Sequence, residues 1–245
     1  MAEALGSGHR VLYVGAGTSG RLGILDAVEW YPTFGVGEEG VEVILAGGVE
    51  AFLKAVEEAE DDEADGAAQV AQRARPGDLV VGISASGSTP FVLGAVRQAR
   101  AMGVATLGLT CNRPSALEEL ADWTIAPVVG PEVVAGSTRL KAGTAEKMVL
   151  NILSTGAMIR LGKVYQNLMV DFRPTNAKLR ERALRILQEV TGASREACQE
   201  AFEASHQQVK VAIVMLRCGL DREAAEQRLE EAGGFVQRAL EGRPG

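Results

Sequence analysis

Five short apolar runs, each followed by a helical pattern, constrain this chain more than anything else in it. They lie at residues 10–15, 41–45, 79–83, 104–110 and 124–129 and are rich in Val, Leu and Ile. Runs of this length, apolar on both faces, suit strands buried beneath helices on either side. Parallel neighbours need a crossover long enough to hold a helix, so strands alternating with helices build a parallel sheet. The expected fold is therefore α/β: a doubly wound sheet of about five parallel strands. Its predicted helices follow residue 20, span 51–60 and about 67–74, and run from 91 to 102. In this class, ligands bind beyond the C-terminal ends of the strands.

After Ser137 the strand signals stop. Residues 137–171, rich in Ala, Leu and Met, read as one long helix or two abutting ones, broken by Pro174. Further helices are predicted at 176–190, 194–204, 207–217 and 221–231, with a tail at 234–240. Ser194 and Asp221 are the expected N-caps, and Gly219 and Gly233 the stops. The expected division is an α/β domain over 1–185 and a small helical domain over 186–245.

Composition removes several classes of function. A net charge of −7 argues against nucleic acid as a partner. No apolar run reaches the roughly 18 residues that span a bilayer. The N-terminus carries no basic region followed by an apolar stretch, so a cytoplasmic location is expected. Cys111, Cys198 and Cys218 are too scattered for a disulfide framework or a zinc site, and neither a metal nor a cofactor is expected.

Two loops at strand ends carry the chemistry. Ser84-Ala85-Ser86-Gly87-Ser88-Thr89-Pro90 joins the third strand to a helix. Such a junction aims free backbone N–H groups and the positive end of a helix dipole at one point. Its hydroxyls add neutral donors, and Gly87 permits close approach. The loop lacks the Gly-Lys-Ser/Thr ending of an NTPase loop, so a phosphorylated metabolite is expected rather than ATP. A plain Ser/Thr helix cap is the alternative. The second loop, Gly15-Ala16-Gly17-Thr18-Ser19-Gly20, matches the dinucleotide pattern G-x-G-x-x-G. The acid that should close the next strand is missing, since that strand ends Leu45-Ala46-Gly47-Gly48. Gly17, Thr18 and Ser19 are better read as lining a sugar pocket beside the phosphate loop.

The loop of Ser84, Ser86, Gly87 and Thr89 resembles the S-x-S-G-x-T loop of sugar isomerase (SIS) domains. More narrowly, the strings at 15–23, 32–36, 59–61, 130–134, 136–145 and 167–171 resemble the N-acetylmuramic acid 6-phosphate etherases. The likeness runs from about residue 9 to the end and is shared with the glucokinase regulatory protein, which binds sugar phosphates without a reaction. The resemblance implies loss of the C3 lactyl ether by metal-free elimination through an unsaturated open-chain aldehyde, followed by water addition. The products would be N-acetylglucosamine 6-phosphate and D-lactate. It assigns the proton transfers to Glu29 and Glu60, and it implies a homodimer. A phosphosugar-sensing regulator and a phosphosugar isomerase remain the alternatives.

Glu29 falls in the last turn of the first long helix, where the negative end of the dipole favours the protonated acid and Trp30 and Tyr31 are expected to shield it. Glu60 sits in a crowded acidic run, where only the resemblance singles it out. Arg139 and Lys141 lie at a helix start, where cations are unfavourable, which points to a use at the phosphate or the lactyl carboxylate. Val28, Trp30 and Tyr31 stand where the family has a small polar residue, cysteine and proline; Ser88 stands where it has arginine. Family members also carry a mostly helical N-terminal segment, so this chain is expected to be a short member or a truncated one.

Overall fold

The computed structural model describes residues 1–54 and 56–242, and only the backbone of Glu57. The chain divides into two compact units, residues 1–29 with 37–154 and residues 30–36 with 155–245. In chain order, the elements up to the third strand are α1 (Ala2–Gly6), β1 (Val11–Gly15), α2 (Gly17–Val28), α3 (Trp30–Phe34), β2 (Val41–Leu45), α4 (Glu50–Leu53), a 3-10 helix (Glu57–Asp61), α5 (Glu63–Arg73) and β3 (Leu79–Ile83). Next come α6 (Pro90–Ala101), β4 (Ala105–Leu109), α7 (Ala116–Leu120), β5 (Trp123–Ile125) and α8 (Lys141–Arg160). The rest comprises β6 (Val164–Tyr165), β7 (Leu168–Met169), α9 (Ala177–Thr191), α10 (Arg195–Ala204), α11 (Val209–Cys218), α12 (Arg222–Glu231) and α13 (Val236–Glu241).

The first unit is built on a five-stranded, wholly parallel sheet in the order β2-β1-β3-β4-β5. Four strands stand where the apolar runs predict them; the fifth, Trp123–Ile125, overlaps only the first two residues of the run at 124–129. Leu12, Val14 and Val80 face one way and pack with Val70, Phe91, Val92 and Val96 of α5 and α6. Tyr13 faces the other way, and its phenol donates to Asp26 on α2 at 3.0 Å. Asn151 and Ser154 of α8 also donate to Asp26, at 2.8 and 3.0 Å, so this buried carboxylate ties α2 and α8 to that face. At the opposite strand ends, buried Asp78 accepts from the Arg10 guanidinium and from the backbone N–H groups of Arg10 and Arg75.

Two expected helices are corrected. The helix predicted over 51–60 is only the single turn α4, followed by the 3-10 helix; Ala55 lies outside the described residues. Arg21 takes the carbonyls of Ala51, Phe52 and Lys54, which an α-helix would need for its own ladder. The long helix predicted over 137–171 is α8 alone, which starts four residues later and ends at Arg160. Gly162 (φ +70) stops it, and a small antiparallel hairpin of β6 and β7 follows, turned by Gln166 (φ +55).

In the second unit, the hairpin and helices α9 to α13 share one core around Tyr165, Phe172, Leu187, Phe202, Ile213 and Val236. Ser194 and Asp221 accept from the N–H groups of Ala197 and Ala224, as N-caps do, and Gly219 closes α11 in the left-handed conformation. The expected domain boundary after residue 185 falls inside α9. Among the described residues, no helix is long and apolar enough to cross a membrane.

Helices α5 and α6 cross so closely that a β-carbon on Gly66 would collide with the Phe91 carbonyl, and one on Gly94 with the Glu63 carbonyl. Gly94→Ala is therefore expected to lower the unfolding free energy by roughly 1–3 kcal/mol, the cost of overpacking. Gly156→Ala, in the open on α8, should instead raise it by up to about 1 kcal/mol through helix propensity. Urea denaturation of both variants checks the pair; equal effects would contradict the close crossing.

Candidate active site

Parallel register sets Gly15 opposite Leu45 on one side and Ile83 on the other. The segments leaving β1, β2 and β3 therefore start side by side. Between β1 and β3 the crossovers diverge, the first toward β2 and the other toward β4. That divergence opens the crevice in which doubly wound sheets hold ligands.

After β1, Ala16 is extended and Gly17 (φ +50) opens α2 at once, with no side chain capping the helix. A β-carbon on Gly15 would lie 2.7 Å from the Gly20 backbone, so only glycine lets strand and helix meet here. Thr18 and Ser19 ride the first turn of α2. The Ser19 hydroxyl is 3.0 Å from both carboxylate oxygens of Glu146 on α8.

After β3, the hydroxyls organise the loop. Buried Ser84 Oγ is 2.8 Å from Thr89 Oγ1 and accepts from the Gly87 N–H at 3.1 Å. Ser86 Oγ accepts from the N–H and hydroxyl of Ser88 at 3.2 and 3.0 Å. Thr89 occupies the N-cap position of α6, yet its side chain bonds no helix N–H. The plain-cap reading therefore fails: the hydroxyl turns into the loop, and the first turn of α6 keeps donors and a dipole end suited to an anion. Gly87 (φ +70) is required, because a β-carbon there would come within 2.5 Å of Ser115 Cβ.

Glu60, on the 3-10 helix, is exposed and borders a niche of about 70 Å³ with Ala16, Gly17, Arg21, Ala46 and Val56. That volume admits one substituent of a ligand, far less than the several hundred Å³ that enclose a whole one. Glu29 is not brought there. It follows α2, whose 12 residues span about 18 Å at 1.5 Å each, at the end remote from Gly17. Its side chain is exposed, so the expected shielding is missing; Trp30 is buried and Tyr31 half exposed.

Lys141 is the first residue of α8 and Arg139 precedes it; both are exposed. The cost of cations at this helix start is offset by Glu132, whose carboxylate accepts the N–H groups of Lys141 and Ala142, both at 2.9 Å. Those two bonds hold the Glu132 carboxyl below its ordinary range. The Lys141 ammonium donates to the Val129 carbonyl at 2.8 Å.

A larger cavity, about 550 Å³, lies within the second unit beside Lys163, Asp171, Arg180, His206 and Lys210. Its lysines are both spent on Asp171, at 2.9 Å each, and the two strand-end loops belong to the first unit. The loops, rather than cavity size, locate the candidate site.

Comparison with known proteins gives the family. The glucokinase regulatory protein N-terminal SIS domain matches residues 1–100, the SIS domain 52–156, and the C-terminal lid domain of glucokinase regulatory protein 166–209. The N-acetylmuramic acid 6-phosphate etherase 1 of Bacillus licheniformis is 53% identical over 97% of this chain and 78% of its own length. That of Symbiobacterium thermophilum is 57% identical over 90% of this chain and 73% of its own. The chain belongs to the N-acetylmuramic acid 6-phosphate etherase family. A phosphoheptose isomerase from Francisella tularensis shares the fold over 65% of this chain and 81% of that one, with a TM-score of 0.52 and 21% identity.

Two residues beside these loops escaped sequence reasoning. Arg21 stands inside the glycine string but announces its partners only in three dimensions. Glu146 carried a readable signal: it shares the i, i+4 spacing of Ala142 and Leu150, the buried face of α8. It is fully buried, and burial lifts its carboxyl from the ordinary 4.5 to about 7, against the opposing Ser19 bond. The native state thus holds a proton that the unfolded chain releases near its lower value. Stability should fall as pH rises from about 4.5 to about 7 and then level off, losing on the order of 3 kcal/mol. Glu146→Gln should remove this slope and be the more stable protein at pH 8. Denaturant titrations at pH 5, 6, 7 and 8 check it; parallel profiles for both proteins would contradict it.

Proposed function

We propose that the chain cleaves the C3 D-lactyl ether of N-acetylmuramic acid 6-phosphate, giving N-acetylglucosamine 6-phosphate and D-lactate. The observation that carries this reading is the convergence at one sheet edge of the glycine loop, the hydroxyl loop and Glu60, in a chain of the etherase family. Ser84, Ser86, Gly87, Ser88 and Thr89 with the first turn of α6 receive the phosphate. Gly17, Thr18 and Ser19 line the sugar. Arg139, exposed and with no ion pair among the described residues, is available to the lactyl carboxylate; Lys141 is tied to Val129 and acts chiefly by its charge.

The chemistry asks for a base and an acid. Removal of the C2 proton of the open-chain aldehyde supplies the electron pair of a new C2–C3 double bond. The C3–O bond breaks, and the departing lactate oxygen takes a proton. Water then adds at C3 while C2 regains a proton. Glu60 takes one of these transfers at the niche and Glu29 the other; because Glu29 lies at the far end of α2 from that niche, it serves a sugar held by a second copy of the chain. We place the reaction in the cytoplasm and assign a homodimer. Exposed Leu25 and Val28 beside Glu29, and exposed Met148 and Ile152 on α8, support a self-association that covers that end of α2.

Glu60→Gln and Glu29→Gln are each expected to lower kcat for lactate release by 10²- to 10⁴-fold, the usual contribution of a general acid or base. Both should still melt at higher temperature when the phosphosugar is present, whereas Ser84→Ala should lose that shift. Full turnover in either glutamine variant would remove that glutamate from the chemistry. A wild-type protein stabilised by the sugar without releasing lactate would be a binding protein, and exchange of the C2 proton without lactate would mark an isomerase.

A further inference from the structure

Glu146 is a buried acid that the proposed reaction does not use, bonded to a residue of the proposed sugar pocket. It is inaccessible to solvent, and Ser19 keeps only 7% of its surface. The two carboxylate oxygens are equally distant from Ser19 Oγ, at 3.0 Å. The neighbourhood offers no charge compensation. From α2 it is faced by Ser19. From the segment after β4 comes the Cys111 thiol, pushed up to about 12 by burial and by Glu146 and Glu132, and therefore neutral. Glu132, after β5, spends its carboxylate on the α8 N-terminus. Ala85 of the hydroxyl loop packs with Cys111 and Ala142 in the same cluster. On α8 itself, Lys147 is exposed, and no cation pairs with Glu146 among the described residues.

We propose that Glu146 is a positioning residue that sets the hydrogen-bonding polarity of Ser19, so that protonating it turns the serine hydroxyl from acceptor to donor toward the phosphosugar. The argument is one of proton counting. A serine hydroxyl has one proton and two lone pairs, and an ionised carboxylate only accepts. While Glu146 is ionised, Ser19 must spend its proton on it and presents lone pairs alone to a ligand. An acceptor-only atom of the sugar, such as the N-acetyl carbonyl oxygen, finds no partner there. Once Glu146 is protonated, its own O–H donates to Ser19 Oγ, and the serine proton is released toward the ligand. Ligand binding and proton uptake at Glu146 are thereby linked, each favouring the other. The lifted titration of Glu146 places this exchange near neutrality. The proposal rests on the reading of the 15–20 loop as part of the phosphosugar site.

Calorimetric titration with N-acetylglucosamine 6-phosphate at pH 8, in buffers of different ionisation enthalpy, tests it. At that pH the phosphate is already a dianion, so any proton taken up belongs to the protein. Wild-type protein is expected to take up close to one proton per ligand bound. Glu146→Gln, whose amide is a permanent donor, should take up none and bind up to about tenfold tighter at pH 8, since about a tenth of the wild type is protonated there. Ser19→Ala keeps the acid and should also lose the uptake, which covers the case of a glutamine variant that fails to fold. Binding without proton uptake, or equal uptake in wild type and Ser19→Ala, overturns the switch while the phosphosugar reading stands. No binding by the wild type at pH 6 or pH 8 overturns both.

Discussion

The parallel pairing of β1 with β3 is the constraint on which the rest depends. It sets Gly15 beside Ile83, so two loops of opposite crossovers leave the sheet at neighbouring points. Together they bring a glycine-backed helix start and a ring of hydroxyls to one edge, and the β2 register adds Ala46 and, further on, Glu60. The tightness of the edge comes from backbone rather than side chains, since strand and helix touch through Gly15 and Gly20.

Helix α8 does for the site what no loop does. Its N-terminus is held by Glu132, and its buried face carries Asn151 and Ser154 to Asp26 and carries Glu146 to Ser19. One helix thus braces α2 at both ends of its exposed-to-buried span: through a satisfied acid at one, and through an acid with a single hydroxyl partner at the other. Asp26 accepts from Tyr13, Asn151 and Ser154, whereas among the described residues Ser19 alone hydrogen-bonds the Glu146 carboxylate.

Much of the fold was legible because each strand is a short apolar run bounded by turn residues, and the hydroxyl loop because Ser and Thr cluster at one junction. What was hidden depended on partners distant in sequence. The 51–60 segment has helical periodicity, and only Arg21, some 30 residues earlier, takes the carbonyls that would have continued the helix. The hairpin after Arg160 is masked by the same Leu- and Met-rich composition as the helix before it, although Gly162 marks the break. Glu29 shows the reverse: its place at the end of α2 was correctly read, but that end lies away from the niche beside Glu60. Glu146 was overlooked because a glutamate in an Ala-rich helix reads as surface.

The measurement that bears most directly on the account is incubation with N-acetylmuramic acid 6-phosphate in heavy-oxygen water, followed by assay of D-lactate and mass analysis of the sugar. Elimination and hydration predict lactate without label and a product carrying the heavy oxygen at C3. Lactate that itself carries the solvent label, with C3 retaining its original oxygen, would contradict the mechanism.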